Sequence, residues 1–566
     1  MSAASIGSLA FWLAAAVWFV YVMRRLRRHL LFFQIEEYDN RRFAALLRRR
    51  RSRVVTAVEI VPVLSLIVLT DVAAVVLPPL DPIRLDATLC LLWAVIYAGL
   101  LVFRKVPPTK KSLVLTARAT RLLVASYAIT AALFVLIAWL AVRWVLTWPT
   151  AVSATRTGVA WVMLGALALS QLAGGILIAA NVIMYPVEES FRWYYLRSAR
   201  HIFQSCPYLR VVAVTGSYGK TSTKEIIAHV LSSRYCVLKT PRSFNTVMGI
   251  CKVIREQLKP EHEVFVVEMG AYKAGEIARL CKLTPPHIGV LTAVGPQHLE
   301  RFKTVERVAE AKYELMTALP PDGIGVFNGD NAFCRQLAAR PARFQTRLYG
   351  FQSSQHNALD VWAANVAVTA RGTEFDVLTA DGDHVHFVTK LLGEHNVSNI
   401  LAAVAVGLAS DLTLHEIAAS VAQLEPVEHR LQRIDGPGGV TVIDDAYNSN
   451  PAGVRAALEV LGSFPGGRKI LITPGMVELG DTEEREHRQM GMLAADVCDY
   501  VILVGPTRTR AIADGLRMKD FPSERILIAQ DLDEAMRRLQ TVVCPGDVVL
   551  FENDLPDTYA TDTLYF

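Results

Sequence analysis

The sequence predicts an α-helical transmembrane domain followed by α/β, with two parallel-sheet domains in the α/β part. Three observations carry this expectation. The chain has 566 residues and is 52% hydrophobic, and the apolar excess sits before Pro186. A β-branched run, a glycine-containing loop and a helical pattern follow one another from Leu209. From there to Phe551, short β-branched runs alternate with helical patterns, as parallel sheets with crossover helices do. The expected domains are residues 1–190, 205–425 and 428–566.

The membrane part comes first. A helix needs about 20 apolar residues to cross a bilayer. Five stretches are candidates: Ile6–Met23, Val54–Leu77, Ala87–Phe103, Leu122–Val142 and Gly158–Met184. The first lacks a basic n-region and a small-residue cleavage site, so it reads as a span rather than a signal peptide. The loop after it carries a run of arginines from Arg24 to Arg53, and the loop after the third carries Arg104, Lys105, Lys110, Lys111, Arg118 and Arg121. The alternate loops hold Arg84, and then Arg143 and Arg156. By the positive-inside rule the rich loops are cytoplasmic, and so is everything after Met184. The expected location is a bacterial inner membrane, multi-pass, with membrane lipid as a partner. Glu59 and Asp71 lie within the second stretch, where no basic partner is evident.

Composition excludes other classes. The net charge of +6 comes from arginines in the first third, beside apolar spans, so it is no argument for nucleic-acid binding. Eight scattered cysteines show neither CxxC nor zinc-ligand spacing and read as reduced thiols.

The α/β part opens with the strand pattern Leu209–Val214, then Thr215-Gly216-Ser217-Tyr218-Gly219-Lys220-Thr221-Ser222-Thr223, then the helical pattern Lys224–Leu231. Glycines let backbone N–H groups turn onto phosphate oxygens, and the helix N-terminus adds its dipole. Lys220 can reach terminal phosphates and the Thr221 hydroxyl can ligate magnesium, so a nucleotide, ATP, is the expected ligand. Val264–Val267 is a second strand and ends in Glu268, a carboxylate placed to hold the metal. Ile288–Val294 is a third, with His298 after it.

The loop TGSYGKTSTK, with two residues between its glycines, resembles that of the Mur ligase family. The resemblance continues along the chain. VVEMGAYKAGEIARL is similar to the segment of MurF (the UDP-N-acetylmuramoyl-tripeptide–D-alanyl-D-alanine ligases) that carries a metal-binding glutamate. AEAKYELM resembles the family's AKxE helix, and GEHNVSN its GxHNxxN element. DDAYNSNP resembles the MurF DDxYNxNP element, and PGMVELGD with His487 continues the match. The resemblance implies an ATP-dependent, ADP-forming ligase that joins a carboxylate to an amine through an acyl phosphate. It implies Thr215, Gly216, Ser217, Gly219, Lys220, Thr221, Ser222, Asn328, Asn396, Asn399, Arg430 and Asp444 as nucleotide contacts. It implies Thr221, Glu268, His298 and a carbamylated Lys312 as Mg2+ ligands. Lys220, His298, Lys312 and Arg430 are the catalytic candidates. Tyr447, Asn448 and Asn450 are the substrate-binding candidates. A hinge near Glu425-Pro426-Val427 would close the last domain over ATP.

The resemblance stops at two places. Membrane helices stand where MurF enzymes carry a UDP-sugar domain. Glu552-Asn553-Asp554 stands where they often carry Lys-Gly-Ser. The expected partners are therefore a carboxylate acceptor, lipid-linked and part of cell-wall synthesis, and an amino acid or dipeptide. The alternatives are a ligase for another polymer such as a γ-glutamyl chain, and a nucleotide-driven transporter.

Overall fold

The computed structural model describes residues 3–49, 57–76, 82–103, 113–147, 154–241, 244–296, 299–351, 359–369, 371–446, 449–477, 479 and 482–553. They fall into two compact units, divided along the chain between Phe191 and Arg192.

The first unit is helical: α1 (Ala3–Ile35), α2 (Asn40–Arg49), α3 (Ala57–Val76), α4 (Pro82–Phe103), α5 (Ala117–Thr147), α6 (Ala154–Gln171) and α7 (Ala173–Gln204). Among the described residues three stretches are long and apolar enough to cross a membrane: Ile6–Ile35, Leu85–Phe103 and Ala117–Thr147. Helices α6 and α7 qualify together, but they are bent by 70° at their break. The fifth expected span is thus a broken one. Gly174 lies just past the break, where a Cβ would meet Leu47 Cδ1 at 2.7 Å. The ends of the second expected span fall outside the described residues.

Two charge assignments change. Helix α1 does not stop at Met23, because no glycine or proline lies between Met23 and Ile35 and arginine is a good helix former. Arg24, Arg25, Arg27 and Arg28 therefore sit on its later turns, not in a loop. Glu59 does have a basic partner, Arg25, at 2.7 Å, with both side chains buried. Tyr21 and Tyr97 hydroxyls donate to the same carboxylate at 3.3 and 3.0 Å, Gln171 donates at 2.6 Å, and Ser170 donates as well. A charge in an apolar interior is stable only when so surrounded. Asp71, by contrast, is exposed. Around this centre pack Trp18, Phe32, Phe33, Phe43 and Trp93, while Trp12, Val20, Leu69, Val95, Val135 and Trp139 face outward.

The second unit holds two sheets. Its first part runs β1 (Arg210–Thr215), α8 (Lys220–Leu231), β2 (Val237–Lys239), α9 (Val247–Gln257), β3 (Val264–Glu268), α10 (Glu276–Leu283), β4 (Ile288–Leu291), α11 (Leu299–Phe302) and α12 (Val305–Thr317). It continues through β5 (Ile324–Asn328), α13 (Ala332–Ala338), β6 (Gln345–Phe351), β7 (Val361–Thr369), β8 (Gly372–Thr379), β9 (His384–Thr389), α14 (Glu394–Leu408) and α15 (Leu414–Val421). The strand order is β2-β3-β1-β4-β5-β6-β7-β8-β9. Strands β2 to β7 are parallel, and β8 and β9 continue the sheet antiparallel, an extension the sequence reading did not foresee.

Residues along β1 alternate between two cores. Val211 and Ala213 meet Phe265, Val267 and Leu315, and Ala199 of the helix before β1 lies in the same cluster. Val212 and Val214 meet Ile227, Ile400 and Val404. Helix α14 is small and apolar on every side (Ala402, Ala403, Val404, Ala405), which suits a helix buried against a sheet.

The second sheet is built from β10 (Gln432–Asp435), β11 (Thr441–Asp445), α16 (Pro451–Ser463), β12 (Lys469–Thr473), α17 (Glu483–Val497), β13 (Tyr500–Val504), α18 (Arg510–Arg517), β14 (Ile526–Ala529), α19 (Leu532–Val542) and β15 (Val548–Glu552). Its order is β10-β11-β15-β12-β13-β14, parallel except for the β10 edge. The loops that matter lie at the carboxyl ends of the strands, where open α/β sheets bind ligands.

Candidate active site

The loop between β1 and α8 is shaped by Gly219, the N-cap of α8, at φ 79°. That left-handed conformation favours glycine, and a Cβ there would also meet Asn399 Oδ1 at 2.6 Å. Thr215 Oγ1 ties the loop to Met269 O at 2.9 Å, and Ser217 Oγ donates to Gly295 O at 3.2 Å. Lys220 Nζ donates to Gly216 O and Ser217 O at 2.8 and 3.1 Å. Lys312, buried on α12, donates to the same Gly216 carbonyl at 2.8 Å.

Two ammonium groups at one carbonyl repel each other. Burial pushes Lys220 down to about 8, with nearby Glu268 opposing and Arg430 adding to the shift. Burial first, then Lys220, pushes Lys312 well below the usual lysine range. Such a gathering of positive charge at the N-terminus of α8 is built for an anion.

Glu268 ends β3, almost wholly buried. It accepts from Thr221 Oγ1 at 2.9 Å and from Asn245 Nδ2 at 3.1 Å, and Lys224 Nζ lies 3.7 Å away. Paired hard oxygens from Thr221 and Glu268 fit Mg2+, which takes one or two protein oxygens and completes its shell with phosphate and water. Among the described residues no cluster of three or more metal-ligating side chains forms. His298 lies outside the described residues, and the hydrogen bond of Lys312 goes to Gly216.

The asparagines knit α14 to the loop. Asn399 Oδ1 accepts from Thr223 Oγ1 at 2.9 Å, and Asn399 donates to Asn396 Oδ1 at 3.3 Å. Asn396 in turn donates to Leu392 O at 2.9 Å. Asn328 donates to Thr292 O at 2.9 Å and accepts from Asp330 N, so its side chain ties strand-end loops together. Ser222, Asn396, Arg430 and the segment Gln423–Val427 line a cavity of about 330 Å³, with Glu225, His229 and Lys239 on its other walls. That is the lower end of the usual volume for a small-molecule site.

Arg430 is presented by an unusual backbone. His429 and Leu431, on either side, have φ 59° and 46°. Neither residue is glycine, so each costs about 1–3 kcal/mol of local strain. His429 Nδ1 pairs with Asp444 Oδ2 at 2.7 Å, and Asp444 Oδ1 accepts from Ala446 N. The Arg430 guanidinium acts electrostatically on Lys220 and on His395, which burial and that charge push down to about 4.

Of the substrate-binding candidates, Asn450 caps α16, accepting from Gly453 N at 3.0 Å. Tyr447 and Asn448 lie outside the described residues. Sequence reading missed Lys224, Asn245, His395 and the carboxyls of Asp445 and Glu552. Three of these stood inside quoted motifs and none in a telling spacing, because only the fold brings them to the site.

Phosphate loop, oxygen pair and facing arginine, spread over two α/β sheets, define a nucleotide-dependent enzyme that activates a substrate with ATP. The description "Mur ligase middle domain" matches residues 214–407, and "Mur ligase, glutamate ligase domain" matches residues 429–552. The UDP-N-acetylmuramoyl-tripeptide–D-alanyl-D-alanine ligase of Bacillus subtilis is 33% identical over 346 residues, covering 61% of this chain and 72% of the relative. The Escherichia coli ligase of the same name is 37% identical over 297 residues, covering 52% and 64%. MurF from Thermotoga maritima, solved with ADP, superposes with TM-score 0.57 at 28% identity, covering 65% of this chain and 82% of that one. MurF from Acinetobacter baumannii gives TM-score 0.58 at 27% identity, covering 65% and 78%. The chain belongs to the Mur ligase family, the ATP-dependent, ADP-forming ligases.

Proposed function

We propose that the chain is a MurF-like ligase of peptidoglycan precursor synthesis, held at a membrane by its N-terminal helices. It joins the carboxylate of a peptidyl acceptor to the amine of an amino acid or dipeptide. The observation that carries the reading is the meeting of Lys220 and Lys312 at the Gly216 carbonyl, together with the Thr221–Glu268 oxygen pair.

The first half-reaction brings two anions together, a carboxylate and the γ-phosphate. Lys220 and Arg430 offset that repulsion, and the backbone N–H groups of the loop hold the phosphates. Mg2+ bound by Thr221 and Glu268 supplies further charge neutralisation. Lys312 is best understood as carbamylated. Burial favours its uncharged amine, the form that adds carbon dioxide, and the resulting anion relieves Lys220. The cavity beside Asn396 and Arg430 takes the nucleotide. The acceptor is a membrane-associated cell-wall precursor, since apolar helices stand where a UDP-sugar domain would.

The test is mass spectrometry of products from the detergent-solubilised protein, ATP, cell-wall precursors and a panel of amino acids and dipeptides. Lys220→Ala should lose at least about 100-fold in product formation while remaining folded. Near-wild-type product from that variant would remove the phosphate-loop assignment.

A further inference from the structure

At the carboxyl ends of β11 and β15 two carboxyl groups face each other. Asp445 and Glu552 are register partners on adjacent parallel strands, so their side chains leave the sheet on the same face. Each lies close enough to the other to shift its affinity for a proton. Glu552 is 1% exposed. Its Oε1 accepts from Ser449 Oγ at 2.5 Å, while no N–H or O–H of the described residues reaches Oε2. Asp445, beside it on β11, is partly exposed, with Oδ1 accepting from Leu431 N at 3.2 Å. Among the described residues the other charged groups acting on them are Arg430 and Asp444, and Asn553 donates its backbone N–H to Asp445 O. Arg430 acts on this pair and on Lys220 alike, which ties the pair to the phosphate loop. Glu552 is also one of the positions at which the chain departs from the MurF pattern.

A buried carboxyl beside another cannot give up both protons, and a cation is what would satisfy them. Burial pushes Asp445 up to about 6, with Arg430 opposing, and it raises Glu552 well above the usual carboxylate range. Besides Mg2+, the ligase reaction brings one cation, the substrate amine. An amine enters as ammonium, and its nitrogen cannot attack until a proton has left.

We propose that the Asp445–Glu552 carboxyl pair receives the ammonium group of the incoming amine and takes its first proton, Asp445 being the catalytic base. The idea rests on the ligase reading above. One proton passes from R–NH3+ to the Asp445 carboxylate. The freed amine forms the C–N bond to the acyl phosphate. The C–O bond to phosphate breaks, phosphate leaves with that electron pair, and it carries off the second nitrogen proton. The third proton stays on the amide.

Hydroxylamine separates the steps, because it is uncharged at neutral pH and traps acyl phosphates as hydroxamates without needing a base. Full-length detergent-solubilised protein is given ATP, Mg2+ and a muramoyl-tripeptide acceptor in both its soluble UDP-linked and its lipid-linked form, with either hydroxylamine or a panel of amino acids and dipeptides. Asp445→Asn should lower amide formation at least about 100-fold, the usual worth of a general base, and leave hydroxamate formation within about twofold. Glu552→Ala removes the neighbouring group that holds the Asp445 carboxyl down, so the acidic limb of the amide pH profile should move to higher pH. Unchanged amide formation in Asp445→Asn would overturn the proposal. So would equal loss of both products, which would make the pair a support for Arg430. Hydroxamate formation also reports that the variants are folded. Failure of the wild type to form either product would overturn the ligase reading itself.

Discussion

Gly219 shows how one residue can hold a site together. Its φ of 79° and its 2.6 Å clearance to Asn399 leave no room for a side chain. Gly219→Ala is expected to weaken ATP binding at least about tenfold, read by calorimetry, with a cost of about 1 kcal/mol or more in stability. Lys312→Ala should lose most activity and regain part of it with a short carboxylate such as acetate, which can fill the vacated place. Full activity of that variant without additive would make Lys312 an ordinary buried lysine. His395 gives a pH signature. Its folded-state value of about 4 lies below the ordinary 6.5. Below 6.5 the unfolded chain binds a proton that the folded chain refuses, so this residue withdraws stability as pH falls from 6.5 towards 4. Asp445 has the opposite sign: its raised value favours the folded state as pH falls from 6 to about 4. His395→Gln should therefore lose less stability than wild type on acidification through that window, read from unfolding at each pH. A superimposable pH dependence would argue that His395 titrates normally.

At the scale of elements, much was legible and some was not. The run Leu209–Leu231 reads as strand, loop and helix because its β-branched residues, its glycines and the helical pattern after Lys220 are all local signals, and β1 and α8 follow it closely. Glu268 is found because strand ends are found. The antiparallel hairpins β8 and β9 are not, since alternation in Gly372–Thr379 does not say which sheet it joins. Helix α1 runs past its arginines because charge does not end a helix, and Arg25 meets Glu59 only through packing of four helices. That network makes a prediction. Glu59→Ala leaves Arg25 buried without its carboxylate and should cost about 3–5 kcal/mol, read as thermal unfolding in detergent. Replacing both by methionine should cost much less. Equal losses in the two proteins would mean that the pair matters through shape alone.

The whole molecule poses the question of what the helices do for the ligase. Ala199 belongs to a core of the second unit, with Tyr195, Leu196, Ile202 and Phe203 packed against it, so a shortened chain must begin near Arg192 rather than later. Such a protein, compared with the full chain on soluble and lipid-linked acceptors, should lose activity preferentially on the lipid-linked one. Equal activity of both proteins on both acceptors would leave the helices as a tether. The two sheets of the second unit are joined through the segment that presents Arg430 between two left-handed residues. This joint is where heat resistance and turnover part company. A glycine at 429 would sit there at ease and offset the lost Asp444 contact, leaving stability within about 1 kcal/mol of wild type while the guanidinium wandered. A screen for survival on heating would accept such glycines without penalty, and a screen for product would discard them.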